Sequence, residues 1–299
     1  MNQRQIEVFH AVMLNQTASR AAEVLRISQP AVSKAIQELE RSVGFALFDR
    51  IKGRMVPTPE GQLLFREVAQ SFIGMVQMRN AAARIRDFGT GELRIASLSA
   101  LSTTLLPMAL RGFQLQHPDV AITYQARMSS EVRELMATGQ FDLGLAADEV
   151  DTTAVDAKPF GKVRAMLAVP PGHPLADKRE VRPKDLHEVP FIALAPEDTT
   201  RRETDDILRA QGVQPRLVLE TPFSITVCAM ALAGLGCGLV NPLTARGFVQ
   251  QGLILRPFVP AVHFRTLILF PTSRRPSRIV RDCVTHLQRA GRELDMVMA

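Results

Sequence analysis

The segment QPAVSKAIQELER, residues 29–41, could read the edges of nucleic-acid bases. Its apolar residues recur at three- and four-residue steps, as they do on the inner face of a helix. A helix fits the major groove, where glutamine can pair with adenine and hydroxyl or ammonium groups can meet a base or a phosphate. A helix face that contacts only solvent is the alternative. The residues that would point outward are Gln29, Pro30, Ser33 and Lys34.

Cap residues define the helices around this segment. Thr17 has the type and place of an N-cap for the helix ASRAAEVL, and Ser28 caps the segment itself. Pro30 falls in the first turn, where a missing N–H is tolerated. Thr17 and Ser19 could also contact phosphate through their hydroxyls and the amides at the helix start, although capping alone explains them equally well.

A basic turn follows between two apolar pairs in ALFDRIKGRMV, residues 46–56. Strand, glycine-containing turn and strand predict a β-hairpin, or wing. Arginine on a wing can enter a narrow minor groove, with Arg54 the candidate nearest the bases; a solvated turn is the other interpretation. Thr58 can then cap a new helix with Pro59 at its first position. The basic residues of the wing are Arg50, Lys52 and Arg54.

Positive charge is concentrated in this N-terminal part. The net charge of the chain is +6, and residues 1–58 hold eight Lys or Arg against five Asp or Glu. Excess positive charge on one small domain suits a phosphate backbone, although mild basicity also occurs on enzymes.

The next segment predicts one long helix, from about residue 59 to residue 88. Thirty residues give a rod of about 45 Å, whose apolar stripe would contact water if the helix stood alone. Pairing with a second copy of the chain would cover the stripe, and packing along its own domain is the alternative. The stripe contains Leu64, Val68, Phe72, Met75, Ala82 and Ile85.

From Glu92 onward, short apolar strands alternate with helices. This alternation predicts α/β layers with mainly parallel sheets. A last strand and helix come after a full second set of units, so the chain can cross to a second subdomain and return. The predicted strands are 93–96, 120–124, 143–146, 166–169, 191–194, 217–219, 238–240 and 267–270, and the helices 103–116, 130–139, 200–211, 224–233 and 277–290.

Hydroxyl and acidic side chains follow several of these strands. Ligands of open α/β sheets bind beyond the carboxyl ends of strands, and a helix start offers N–H groups to a carboxylate. Capping by Ser and Thr is the alternative for each hydroxyl, and solvation for each acid. One acid among Asp148, Glu149 and Asp198 could pair with a ligand's ammonium. The other candidate ligand-binding residues are Ser97, Ser99, Ala100, Ser102, Thr103, Ser129, Thr199, Thr200 and Thr226.

Signatures of other protein classes are missing from the sequence. It contains no GxSxG, Walker, HExxH or strand-following GxGxxG motif, so we expect no enzyme, no cofactor and no metal. The three cysteines lack CxxC spacing and are expected to be buried small hydrophobes. There is no run of about 18 apolar residues and no signal-peptide pattern, which favours a cytoplasmic protein without a membrane partner.

These residues resemble the LysR-type transcriptional regulators. The likeness is carried by SRAAEVLRISQPAVSKAIQELERSVGFALFDR and PTPEG, and it continues through GELRIASLSALSTTLLP, FDLGLA, PPGHPLA and GLGCGLVNPLTA. The stretch ETPFSITVCAMALAGLGCGLVNPLTA is most similar to regulators of lysine and diaminopimelate metabolism and of opine catabolism. The resemblance implies a homodimer that assembles into a homotetramer, and a partner in RNA polymerase.

The resemblance also implies an N-terminal all-α winged helix-turn-helix followed by two Rossmann-like subdomains of periplasmic-binding-protein type. We therefore expect a regulator that binds double-stranded DNA and senses a small effector, such as an amino acid or opine. A two-lobed ligand-binding protein without a regulatory role, and an α/β enzyme fused to a DNA tether, are the competing hypotheses. The predicted domains are 1–58 (DNA binding), 59–90 (dimerisation helix), 91–161 with 267–299 (first subdomain) and 162–266 (second subdomain).

Overall fold

The chain divides into two units, Met1–Ala83 and Arg84–Ala299. The computed structural model describes residues 1–51, 54–69 and 91–298, with the backbone alone at residues 50, 51 and 54. None of the helices within these ranges is both long and apolar enough to cross a membrane.

Three helices, each begun by a polar cap, form the body of the first unit. Asn2 and Gln5 make a reciprocal capping box at the first helix. The hydroxyl of Thr17 accepts a bond of 3.3 Å from the Arg20 amide, and that of Ser28 accepts one of 3.4 Å from the Ala31 amide. The predicted caps Thr17 and Ser28 are therefore confirmed. The helices are α1 (Gln3–Asn15), α2 (Ala18–Leu25) and α3 (Gln29–Val43).

Burial of the inner faces of these helices fixes the orientation of α3. Arg26, in a left-handed conformation with φ 53°, ends α2 and turns the chain into α3. Gly44, with φ 86°, ends α3, a conformation that glycine adopts without strain. The core of the unit contains Phe9, Val12, Ala21, Val32, Ile36, Leu39 and Leu47.

The predicted wing is present as a two-stranded antiparallel hairpin, β1 (Phe48–Ile51) and β2 (Arg54–Pro57). The Glu40 carboxylate on α3 accepts bonds of 2.8 and 3.3 Å from the amides of Leu47 and Phe48. The Met55 amide donates a bond of 3.1 Å to the Gln16 carbonyl. These bonds hold the hairpin against both α3 and the turn after α1. Lys52 lies outside the described residues.

A further helix, α4, begins after Thr58 and covers residues 59–69 to the end of the described stretch. The Thr58 hydroxyl accepts a bond of 3.0 Å from the Gly61 amide, as predicted for its cap. The predicted seam needs correction here, because Val68 is only 5% exposed and packs with Leu64 against the core of its own unit. This part of the apolar stripe is thus covered within the chain. Residues 70–88 of the predicted helix, with Phe72 and Met75, lie outside the described residues.

The second unit consists of two lobes. In the first lobe, a six-stranded sheet has the order β13-β6-β12-β5-β3-β4. Its strands are β3 (Glu92–Leu98), β4 (Ala121–Arg127), β5 (Leu143–Ala147), β6 (Val155–Arg164), β12 (His263–Pro271) and β13 (Val297–Met298), and its helices are α5 (Leu105–Gln116), α6 (Ser129–Ala137) and α10 (Arg278–Glu293).

The second lobe is a smaller α/β layer. Its strands lie in two ladders, β10-β7-β11 and β8-β9, joined by a parallel bridge between Phe191 and Cys237. The strands are β7 (Met166–Val169), β8 (Pro190–Leu194), β9 (Arg216–Thr221), β10 (Gly238–Val240) and β11 (Ile254–Pro257), and the helices are α7 (Thr199–Ala210), α8 (Ser224–Leu232) and α9 (Pro242–Val249).

The sheets are mixed, which corrects the prediction that they are mainly parallel. Strands β3, β4 and β5 run parallel, as do β8 and β9. The other ladders of this unit are antiparallel because β6 and β12, which carry the chain between the lobes, run side by side in opposite directions. Their pairing extends from His263↔Arg164 to Pro271↔Val155. The lobe boundaries predicted at 161/162 and 266/267 therefore fall inside these two strands, three to four residues from the crossovers.

Candidate functional site

The carboxyl ends of strands from both lobes meet at a cavity of about 420 Å³. In the first lobe, the segments after β3, β4 and β5 line it; in the second lobe, the segments after β8 and β9 do. This is the position at which open α/β sheets bind ligands. The polar and aromatic residues that line it are Ser99, Arg127, Ser129, Ser130, Arg133, Glu134, Glu149, Asp151, Glu197, Asp198, Phe223, Ser224 and Phe264.

Several predicted ligand-binding residues come together here. Ser99, Ala100, Ser129 and Glu149 line the large cavity, which we call the cleft. A small cavity of about 20 Å³ shares Glu149 and Asp198 with the cleft. The remaining predicted residues that line this small cavity are Asp148, Thr199 and Thr200.

The structure removes Ser97, Ser102, Thr103 and Thr226 from the candidate set, since none of them lines either cavity. Ser97 is fully buried, with its hydroxyl 3.0 Å from that of Tyr124. The Ser102 hydroxyl donates to the Ser99 carbonyl at 2.6 Å, because the chain makes a 3-10 turn there and α5 begins only at Leu105. Thr103 is exposed, and at the start of α8 Ser224 faces the cleft in place of Thr226.

Sequence reasoning missed Arg127, Ser130, Phe223 and Phe264. Arg127 and Ser130 flank the predicted Ser129 at the junction of β4 and α6, so the same strand-to-helix signal could have found them. Phe264 lies on β12, one of the crossover strands, where the pattern gave no indication of a site.

One wall of the cleft is positive. The Arg127 side chain donates to the Ala126 carbonyl at 3.0 Å, and no carboxylate among the described residues pairs with it. Arg133, by contrast, donates to the carbonyls of Asp151 and Thr153 at 3.2 and 2.8 Å. The first N–H groups of α6, at Ser129 and Ser130, add the partial positive charge of a helix start. Arg127 and these amides together can hold a carboxylate.

The opposite character is found at Glu149 and Asp198. Burial raises the pKa of the Glu149 carboxyl, bonds from its own backbone and from Ser129 oppose the rise, and the charges of Asp198 and Asp148 add to it. Burial also raises the pKa of Asp198, against bonds from Arg201 and Thr200, and the charge of Asp148 adds to the rise. These carboxyls share a confined space and can hold a cation.

The outer face of α3 carries the side chains predicted to contact DNA. Gln29, Pro30 and Lys34 are exposed, and Ser33 is half-buried. Ser19 on α2 is also exposed, whereas the Thr17 hydroxyl is occupied by its cap. For Arg50 and Arg54 the structure gives the backbone positions on β1 and β2.

Other kinds of site have no support within residues 1–51, 54–69 and 91–298. No group of three or more His, Cys, Asp or Glu there could hold a metal ion. Cys228, Cys237 and Cys283 are fully buried and unpaired, as predicted, and burial raises the pKa of each thiol to about 12. They are therefore not thiolates at neutral pH.

Comparison with known families matches both units. Residues 3–62 match the model described as "Bacterial regulatory helix-turn-helix protein, lysR family", and residues 86–292 match the "LysR substrate binding domain". Among solved structures, the LysR family transcriptional regulator CbnR superposes with a TM-score of 0.70 at 19% identity, over 97% of this chain and 99% of that one. Full-length BenM superposes with a TM-score of 0.60 at 22% identity, over 100% and 99%.

Curated relatives are similar over nearly their whole length. The transcriptional activator protein LysR of Escherichia coli (strain K12) is 36% identical, over 96% of this chain and 93% of the relative. The regulatory protein NocR of Agrobacterium fabrum (strain C58) is 34% identical over 93% of each. The octopine catabolism/uptake operon regulatory protein OccR of Rhizobium meliloti is 31% identical over 94% and 93%. These proteins are regulators and not enzymes, and the chain belongs to their family, the LysR-type DNA-binding transcriptional regulators with a C-terminal effector-binding domain.

Proposed function

We propose that the effector of this regulator is an amino acid or an amino-acid-like acid bound in the cleft between the two lobes. The observation that carries the proposal is the separation of charge within one cavity. Arg127 and the start of α6 form a place for a carboxylate, and Glu149 and Asp198 form a place for an ammonium. A zwitterion satisfies both places at once.

Binding would act through closure of the lobes. Residues from both lobes line the cleft, so a ligand that contacts both favours the closed state over the open one. An effector shifts a conformational equilibrium only by its different affinity for the two states. We propose that closure changes how the two DNA-binding units of an oligomer are presented to their sites. The homodimer, its assembly into a homotetramer, the contact with RNA polymerase and the cytoplasmic location belong to this proposal.

The DNA contacts are proposed for the outer face of α3 and for the wing. Gln29, with Pro30, Ser33 and Lys34, would lie in the major groove. Ser19 and the start of α2 would meet a phosphate, and Arg54, with Arg50 and Lys52, would reach the minor groove. Support comes from the exposure of the α3 residues and from the hydrogen bonds that hold the wing beside α3.

The test is a thermal-shift screen of the full chain against the twenty amino acids and octopine, followed by calorimetric titration of the best hit. Octopine is included because of the name of the Rhizobium meliloti relative. A ligand that binds the folded state raises the unfolding temperature. Arg127→Gln should weaken the hit roughly tenfold or more, since a charge-assisted hydrogen bond is lost. Arg111→Gln, an exposed arginine on α5 outside the cleft, is the matched control. Equal affinity for Arg127→Gln and the parent would move the carboxylate site elsewhere.

A further inference from the structure

Two carboxylates from different lobes face the same space at the inner end of the cleft. Glu149 follows β5 in the first lobe, and Asp198 precedes α7 in the second. Both line the cleft and both line the small cavity next to it. The proximity of Asp198 contributes to the raised pKa of Glu149, so the two groups interact electrostatically. They form a carboxylate pair that spans the two lobes.

The cations of the chain near this pair are engaged elsewhere. Arg265 lies 2.6 Å from Glu203 and 3.7 Å from Asp148. Arg201 is paired with Asp205 at 2.7 Å and with Glu220 at 3.1 Å.

Glu149 shows what the pair lacks. Its Oε2 atom is buried and has no hydrogen-bond partner among the described residues. A carboxylate removed from water without a partner is strongly unfavourable, and a native structure rarely leaves such an atom unsatisfied without a reason. A cation from a ligand is the partner that would satisfy it.

The charge on the cleft wall indicates what kind of ligand this is. Five acidic residues line the cleft, against two arginines, of which Arg133 already contacts Asp151. An amino acid with a neutral side chain brings one negative and one positive group, which leaves the excess of carboxylates as it was. A ligand with a second cation removes part of that excess.

We infer that the effector carries a side-chain cation, an ammonium or a guanidinium, which binds between Glu149 and Asp198. The inference rests on the proposed function and names its ligand class: a diamino or guanidino acid. A cation between carboxylates of opposite lobes attracts both of them. It therefore binds the closed arrangement of the lobes more tightly than the open one, as an effector must.

The experiment compares isosteric ligands by calorimetric titration of the full chain. L-Arginine is paired with L-citrulline, and L-lysine with L-norleucine, because each pair differs mainly in the side-chain charge. The charged member of at least one pair should bind tenfold or more tightly than its neutral partner. Glu149→Gln and Asp198→Asn should each remove most of this preference, whereas Asp206→Asn, an exposed residue on α7, should preserve it. Unchanged circular dichroism and DNA affinity show that the variants fold.

The outcomes separate this inference from the proposed function. If a neutral or acidic amino acid from the screen binds while none of the four isosteric ligands does, the side-chain cation is wrong and the amino-acid cleft stands. If neither variant alters the preference for the charged ligand, the carboxylate pair is not its site. If no amino acid and no amino-acid derivative binds, both proposals are overturned.

Discussion

The hydroxyl of Thr244, in the second lobe, donates a hydrogen bond of 3.2 Å to the carbonyl of Ala100, in the first lobe. Thr244 is only 4% exposed, and the neighbouring Leu243 packs into the hydrophobic core of the first lobe. Helix α9 thus joins the lobes beside the cleft, next to Ser99 and Ala100 that line it. The joint leaves the segments after β5 and β8 as the parts that closure can bring together.

Replacement of Thr244 by valine tests this joint. Valine keeps the shape of the side chain but leaves the Ala100 carbonyl without its donor, which should cost about 1–3 kcal/mol in the free energy of unfolding. Urea unfolding of the full chain measures the change. Thr285→Val is the matched control, because that hydroxyl donates to a helix carbonyl at an exposed position. Equal losses in the two variants would mean that the bond between the lobes has no special weight.

The glycines of GLGCG serve packing, which bears on whether the segment could be a phosphate loop. A Cβ atom on Gly238 would lie 2.4 Å from the Ile192 carbonyl oxygen and 2.6 Å from a methyl group of Val227. Gly238→Ala should therefore destabilise the second lobe by about 1–3 kcal/mol or more. Gly247→Ala is the control, since nothing lies within 4 Å of its Cβ in an exposed turn of α9, and alanine there should stabilise by up to about 1 kcal/mol. Similar unfolding midpoints for the two variants would contradict the packing account.

Gln29 on the outer face of α3 is expected to contribute sequence specificity. Loss of its paired hydrogen bonds in Gln29→Ala should weaken binding to a site selected from random DNA by about 1–3 kcal/mol, with little effect on unrelated DNA. Fluorescence anisotropy at a fixed salt concentration measures both affinities, because phosphate contacts make each depend on salt. Gln62→Ala, exposed on α4, should behave as the parent does. If Gln29→Ala discriminated as well as the parent, another face would contact the bases.

The stability of the ligand-free protein should depend on pH through Glu149 and Asp198. Both carboxyls have folded-state pKa values raised above their ordinary ones, so the folded protein binds protons more readily than the unfolded chain does. The free energy of unfolding contributed by these groups therefore falls as the pH rises through the folded-state pKa values. Glu149→Gln, which cannot ionise, should unfold at a higher temperature than the parent near about pH 8, with the difference shrinking toward about pH 5. Asp206→Asn should show no such trend, and a higher midpoint for the parent at neutral pH would contradict the prediction.

Local chemistry made much of this fold predictable. The caps Thr17, Ser28 and Thr58 were identified because each residue type has one favourable place at a helix start. Strands β7 and β10 match the predicted bounds because short apolar runs flanked by turn residues have few alternatives. Strand β6, with the sequence VDAKPFGKVR, was missed because its lysines, proline and glycine hide any alternation. Its place is fixed by pairing with β12, which lies about a hundred residues away.

The site was predictable at the level of segments and less so at the level of side chains. Each strand-to-helix junction in the parallel part of a sheet points to the same edge, which is why Ser99, Ser129 and Glu149 were found. Whether a given hydroxyl faces the cleft depends on turns of one or two residues. Ser97, one position away from the end of β3, points instead toward Tyr124 in the core. Tertiary packing decides that choice, and spacing along the chain does not encode it.

The central claim is that ligand binding in the cleft changes how this chain binds DNA. The direct measurement is fluorescence anisotropy of the full chain on a selected DNA site, titrated with the best thermal-shift hit, together with energy transfer between the ends of the DNA to report bending. The account predicts that the ligand changes the affinity or the bend. It also predicts that Arg127→Gln keeps the affinity for DNA but needs at least tenfold more ligand for the same response. The account is contradicted if the chain shows no preference for any selected site, or if Arg127→Gln responds to the ligand as the parent does.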